Sequence, residues 1–163
     1  MGRSSPRKPQ SRLRVQLYIA ASVAILAGTA LGLATKVAPA AAPGETVTAQ
    51  LTLCRENRQP DCVIDGDTVR IAGDRVQVAD IDAPDLYRTH CPREQALAEK
   101  AAHRLLQLLN AGPIQLAPYD DRDRDYYGRK LRVLQRDGRS LGAILVNEGL
   151  AVPWTGARQS WCP

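Results

Sequence analysis

Between Val63 and Asp85 the chain reads VIDGDTVRIAGDRVQVADIDAPD, and its carboxylates fall at spacings that can hold a cation. Asp65 and Asp67 are two residues apart, so on extended backbone they project from one face. Gly66 between them lets the backbone approach a ligand closely. Asp82 and Asp85 flank Ala83-Pro84, a rigid exit from a strand. If that exit folds back beside Asp67, several hard oxygen donors converge. Neighbouring carboxylates raise one another's pKa, and a divalent cation such as Ca²⁺ or Mg²⁺ removes the conflict. The competing reading is plainer: Asp and Gly are ordinary turn formers, and these acids would then sit at solvated hairpin ends.

A second chemical feature is Tyr126-Tyr127-Gly128-Arg129. An arginine held on a glycine turn at a strand start can offer a bidentate fork to a phosphate. The Asp120–Asp125 run just before it has D-x-D-x-D spacing from Asp121, but Tyr126 stands where an EF-hand loop needs glycine and Arg132 where it needs glutamate. A solvated, self-paired loop is the expectation there. Zinc is excluded on spacing, because no C-x-x-C pair exists and only His90 and His103 could join the cysteines.

The elements that must position these residues follow from periodicity. Val69 and Ile71 alternate with Thr68 and Arg70, and Ala72-Gly73-Asp74 makes a tight turn before Val76, Val78 and Ile81, which predicts a β-meander. A helix follows His90, with Pro92 in its first turn, Glu94 near its N-terminus and Leu97, Ala101, Leu105 and Leu108 on one face; Asn110-Ala-Gly112 ends it. Pro113–Ala117 and Lys130–Leu134 read as strands. Asp137-Gly138 is a turn, and Ser140 caps a last helix, Leu141–Glu148, closed by Gly149. Three strands, a helix, two strands and a helix make an α+β domain: a small barrel with packed helices.

IDGDTV at Ile64–Val69, IDAP at Ile81–Pro84 followed by an acid, and Tyr127-Gly128-Arg129 occur in the order found in the staphylococcal-nuclease-like (thermonuclease) family, which the chain resembles from about Cys62 to Ala151. The resemblance implies a five-stranded OB-fold barrel. It implies a Ca²⁺ held by Asp67, Asp82 and the carbonyl of Ala83, with Asp65 as an outer partner, Mg²⁺ being the alternative ion. Asp85 falls where the family carries the glutamate that acts as general base or orients water. Arg129 matches the family's third-block arginine, while the second-block arginine, which clamps the phosphate, falls on Gln77. Loss of a charged donor costs about 10² to 10³ in rate, and shortening the base about 10². The resemblance therefore implies a weak Ca²⁺-dependent nuclease acting on DNA or RNA, with catalytic positions Asp85, Arg129 and Gln77. Arg75 or Arg88 would be the substitutes for the missing arginine. The alternative is a catalytically degenerate barrel kept as a tethered binding module.

Charge and address complete the sequence-level picture. The net charge of +5 is carried by the N-terminus: residues 1–36 hold six basic groups and no acid, leaving 16 basic against 17 acidic groups in residues 37–163. A broad basic face for nucleic acid is thereby excluded, and contacts are expected to be local. Composition divides the chain into a basic tail (1–16), a membrane segment (17–35), an Ala/Pro-rich linker (36–49) and the domain (50–163), expected to be monomeric. Leu17–Ala34 is uncharged over 18 residues, long enough to span a bilayer, with the basic side cytoplasmic and the domain outside. The alanines after it keep a cleaved signal peptide, hence a secreted or periplasmic domain, as the alternative. Four cysteines in an exported chain read as disulfides, with three pairings possible. Cys54–Cys62 and Cys91–Cys162 are the expected pair, stabilising by about 2.5 and about 4 kcal/mol by loop entropy.

Overall fold

The computed structural model of the chain describes residues 44–48, 50–55 and 59–163. The expected tail, membrane segment and most of the linker lie outside the described residues. Among the described residues no helix is long and apolar enough to cross a membrane.

The expected meander is present as β3 (Cys62–Val63), β4 (Thr68–Ile71), β5 (Asp74–Val78) and β6 (Ile81–Asp82). Ala72 and Gly73 both take positive φ, 51° and 85°, which is the two-residue turn whose twist suits a hairpin. That turn sets the register Thr68↔Gln77, Val69↔Val76 and Arg70↔Arg75. Val63, Val69, Val76, Val78 and Ile81 are all buried, as alternation predicts.

β5 then pairs parallel with β8 (Lys130–Arg136), and β8 antiparallel with β7 (Ile114–Pro118). These pairings curl the sheet around a core of Val63, Leu105, Leu109, Leu134, Leu141 and Leu145, giving an OB-like α+β fold. The pairing runs as an open path rather than a closed five-strand ring, extended by short edge strands. One of these, β1 (Glu45–Val47), pairs with β7 inside the stretch that composition assigns to the linker. Three residues are too few for a period to show. At the other edge β2 (Thr52–Leu53) lies parallel to β3, and the Cys54–Cys62 disulfide pins it there. The hairpin at Asp137-Gly138, both at positive φ, leads through β9 (Arg139–Ser140) into the second helix.

α1 (Pro92–Asn110) starts after the extended Cys91, with Pro92 in the first turn where its missing N–H is harmless. Glu94 is buried and reaches back to accept from the His90 N–H at 2.5 Å. The buried stripe is Glu94, Ala98, Ala101, Ala102, Leu105, Leu108 and Leu109; Leu97, expected on it, is half-buried. Alanines carry the contact because the helix lies close to the first turn of the meander. A Cβ on Gly66 would fall 2.7 Å from the Ala101 Cβ and 2.9 Å from the Ala83 Cβ. Gly66 thus admits the helix and the β6 exit, not a ligand. Gly66→Ala should cost about 1–3 kcal/mol by overpacking, read as a lower urea midpoint at unchanged m.

α2 (Leu141–Asn147) is capped by Ser140, whose hydroxyl oxygen accepts from the Ala143 N–H at 3.0 Å. β10 (Val152–Pro153) pairs with β6, Val152↔Asp82 and Pro153↔Ile81, and so holds the strand that carries Asp82. The last residues return to the start of α1, where Cys162 is bonded to Cys91. Both expected disulfides are formed, and the four cysteines are all used.

Candidate active site

The turn between β3 and β4 is closed by the Ile64 and Asp65 N–H groups donating to the Thr68 carbonyl, and by Asp65 Oδ1 accepting from the Asp67 N–H at 3.1 Å. This geometry buries both carboxyls. Asp67 uses one oxygen to accept from Thr68 Oγ1 at 2.9 Å and the other to accept from the Ala83 N–H at 3.0 Å. That second bond stitches the exit of β6 onto the first turn, so the folding-back required for convergence takes place. Asp82, also buried, faces the same locus.

The buried acids feel one another. Burial first, and then the Asp67 carboxylate, push Asp65 up to about 8, so in the metal-free chain it is largely protonated at neutral pH. Burial raises the Asp82 carboxyl as well, against the pull of the Gln159 N–H and the Arg158 guanidinium.

Arg158 takes up the space between these groups. Its Nε donates to Asp82 Oδ1 at 3.1 Å, its Nη2 donates to the Ala83 carbonyl at 3.1 Å and lies 3.9 Å from Asp67 Oδ2, and the Gln159 N–H donates to Asp82 Oδ2 at 2.7 Å. Two carboxylates and a carbonyl form an all-oxygen donor set of the kind hard divalent cations take, so the residues fit such an ion chemically. One cation already faces them here, and it is the chain's own guanidinium.

Across the same open cleft, of about 1040 Å³, stand Gln77, Asp85, Arg88, Arg129 and the exposed rings of Tyr126 and Tyr127. Gly128, at φ 77°, turns the chain so that Arg129 enters β8 beside β5. Asp125 holds that arginine, accepting from its backbone N–H at 2.9 Å and from its Nε at 2.7 Å. Burial alone would raise the Asp125 carboxyl, but these bonds outweigh it and keep it below the usual range. Arg129 Nη1 donates to Gln77 Oε1, and the Tyr127 ring lies 5.7 Å from the Arg129 Cζ. Gln77 in turn meets Thr68 Oγ1 at 3.2 Å. A line of contacts therefore runs Asp67, Thr68, Gln77, Arg129, Asp125, tying the acid turn to the arginine.

Asp85 sits at the cleft with its carboxyl folded on its own loop, Oδ1 accepting from the Tyr87 N–H at 2.9 Å and Oδ2 from Arg88 Nε at 3.1 Å. Arg88 is mostly exposed and held to Asp85, and Arg75 lines the same cleft from the exposed side of β5. The acidic loop, expected to be self-paired, is so only in part: Arg122 pairs with Asp120 within it, whereas Arg124 reaches Asp74 of β5, Asp123 meets Arg132 of β8, and Asp125 serves Arg129. Cys91, Glu94 and Cys162 also come together, but both sulfurs are spent in the disulfide.

Three partners in this site were not read from the sequence. Asp125 carries a cue, an acid four residues before an arginine across a glycine turn. Thr68 and Arg158 carry none, because their partners are set by tertiary contacts; for Arg158 the nearby Cys162 is the one hint that the tail returns to the domain.

A family model described as staphylococcal nuclease homologue matches residues 75–160. The chain is 37% identical over 97 residues to Endonuclease YncB of Bacillus subtilis (strain 168), a match covering 56% of this chain and 44% of the relative. It is 37% identical over 97 residues to the SPbeta prophage-derived endonuclease YokF of the same organism, covering 56% and 32%. It is also 36% identical over 95 residues to the Succinoglycan biosynthesis protein ExoI of Rhizobium meliloti (strain 1021), covering 55% and 48%. In each case the match spans less than half of the relative's length.

Proposed function

The chain belongs to the staphylococcal nuclease homologues, and from that membership and the chemistry of its cleft we infer that it hydrolyses phosphodiester bonds of DNA or RNA with a divalent cation, Ca²⁺ in first place and Mg²⁺ as the alternative. The observation that carries the reading is the convergence of Asp67, Asp82 and the Ala83 carbonyl on one locus, in a cleft whose opposite wall presents Arg129. Asp67, Asp82 and Ala83 are the residues that would hold the ion, with Asp65 outside them. When bound, such an ion polarises a phosphoryl oxygen and lowers the pKa of a coordinated water.

The chain's own residues supply the rest. Asp85 accepts a proton from the attacking water as its oxygen bonds to phosphorus, and the ester oxygen on the far side departs and takes a proton from solvent in the open cleft. For that it must give up its bond to Arg88, which is largely in solvent and therefore weakly held. Arg129 donates to the phosphoryl oxygens that gain charge. Its Nε is anchored by Asp125 and its Nη1 by Gln77, and among the described residues Nη2 takes no hydrogen bond, which leaves one edge of the fork for an anion. The exposed Tyr126 and Tyr127 rings are placed to stack on bases, keeping nucleic-acid contacts local to the cleft.

Activity is weak on this reading, because Gln77 offers a neutral amide where a second guanidinium would clamp the phosphate. The binding-module alternative has one observation of its own, the closure of the acid cradle by Arg158. Two disulfides fit an oxidising compartment, which supports a domain outside the cytoplasmic membrane, monomeric and either tethered through residues 17–35 or released.

The test is calorimetry with Ca²⁺ on the full chain. Wild type should show one site and Asp67→Asn should show none, because the substitution leaves the turn's hydrogen bonds largely in place while removing the charged donor. Equal binding by the two proteins would remove the cradle from the account.

A further inference from the structure

We propose that Arg158 is the resident cation of the Asp67, Asp82 and Ala83 cradle, delivered by the C-terminal strap, so that its docking and the entry of a divalent cation exclude one another. This rests on the metal reading above and adds to it a built-in competitor. The guanidinium meets the same three groups that would hold the ion: Asp82 Oδ1 at 3.1 Å, the Ala83 carbonyl at 3.1 Å and Asp67 Oδ2 at 3.9 Å. Gln159, the next residue, uses its N–H on the remaining Asp82 oxygen at 2.7 Å. Two cations cannot share these oxygens, since each would lose donors to the other and the like charges would repel at contact distance.

The strap is held at both ends, and between them Arg158 and Gln159 tie it to the cradle. Upstream, Pro153 pairs with Ile81 and the Trp154 N–H donates to the Asp80 carbonyl at 3.0 Å; downstream, Cys162 is bonded to Cys91 at the head of α1. Residues 154–161 form no helix or strand, and Gly156 sits at φ 95°. The Arg158 side chain remains 53% exposed. It can therefore leave the cradle without exposing core, while its tether keeps it in the cleft. Undocked Arg158 is the state competent for the ion, and the apparent Kd is raised by the inverse of that state's population.

The experiment is Ca²⁺ calorimetry on the oxidised full chain, comparing wild type, Arg158→Gln and Arg88→Gln, the last removing an equal charge from the same cleft. Arg158→Gln should bind Ca²⁺ tighter by about tenfold or more, which corresponds to a docked fraction near nine-tenths, while Arg88→Gln changes the Kd by less than about threefold. In wild type, the Arg158 Nε proton, observed by ¹⁵N NMR, should pass from slow to fast solvent exchange on saturation with Ca²⁺; this readout needs no variant to fold. Equal tightening by both variants would show bulk charge alone and overturn the proposal. So would an unchanged or weaker Kd in Arg158→Gln, or an Arg158 proton still protected with Ca²⁺ bound, with the metal reading left standing. Absence of binding in both wild type and Arg158→Gln would overturn the metal reading and this proposal together.

Discussion

Arg129→Ala should lower kcat/KM for phosphodiester cleavage by about 10³-fold or more, with most of the loss in kcat. An arginine aimed at a transferring phosphoryl group stabilises charge that is present chiefly in the transition state, and removing such a group costs about 10² to 10⁵ in the systems where it has been isolated. The upper half of that range is expected because the second clamp position is already the neutral Gln77, and Arg129 is the family's phosphate arginine that remains. The substitution removes the half-buried Asp125's charged partner while leaving it the backbone N–H groups of residues 127 and 129, so a modest loss of stability accompanies the kinetic one. Whatever the pair contributes is present above the ordinary carboxylate pKa and is lost as pH falls through the lowered value of Asp125. A fold check by near-UV circular dichroism at neutral pH separates the kinetic loss from unfolding.

Gln77→Arg should raise kcat/KM by about 10². The new side chain supplies a planar five-donor fork that can bridge two phosphate oxygens, where glutamine has one neutral NH₂. In the wild type, however, Gln77 Oε1 accepts from Arg129 Nη1, and an arginine cannot accept. Two guanidinium groups then face each other until a phosphate lies between them. The gain in rate should therefore come with a lower Tm for the free protein, recovered on adding a nucleotide. A fall in kcat/KM would mean that holding Arg129 in place is the larger part of what Gln77 does.

The meander was legible because a period of two leaves little choice: Val69, Ile71, Val76, Val78 and Ile81 had to face one way, and all five are buried. The Ser140 cap and the Asp137-Gly138 turn were legible because each satisfies a local need of the backbone. On α1, hydrophobic size points to Leu97, whereas the buried stripe runs through Ala98 and Ala101, and it is Ala101 whose small side chain brings the helix against Gly66. β1 was missed because three residues at an edge show no period and are formed by pairing with β7. At the site, the acids of the DGD and DAPD blocks were found from spacing, and their convergence follows from one bond, Ala83 N–H to Asp67. Arg158 lies 76 residues from Asp82. The β10–β6 pairing, the Trp154 N–H bond to Asp80 and the Cys91–Cys162 bond bring them together, and of these Cys162 alone is a local cue near Arg158, one that points to the domain and not to Asp82.

The most direct measurement of the account is cleavage of single-stranded DNA and RNA by the full, oxidised chain, with Ca²⁺ or Mg²⁺ and then with excess chelator, beside Asp67→Asn as the control. Slow cleavage that requires the ion, stops with chelator and is absent in Asp67→Asn is the predicted result. No cleavage under any of these conditions, or cleavage that chelator and Asp67→Asn leave unchanged, would contradict it.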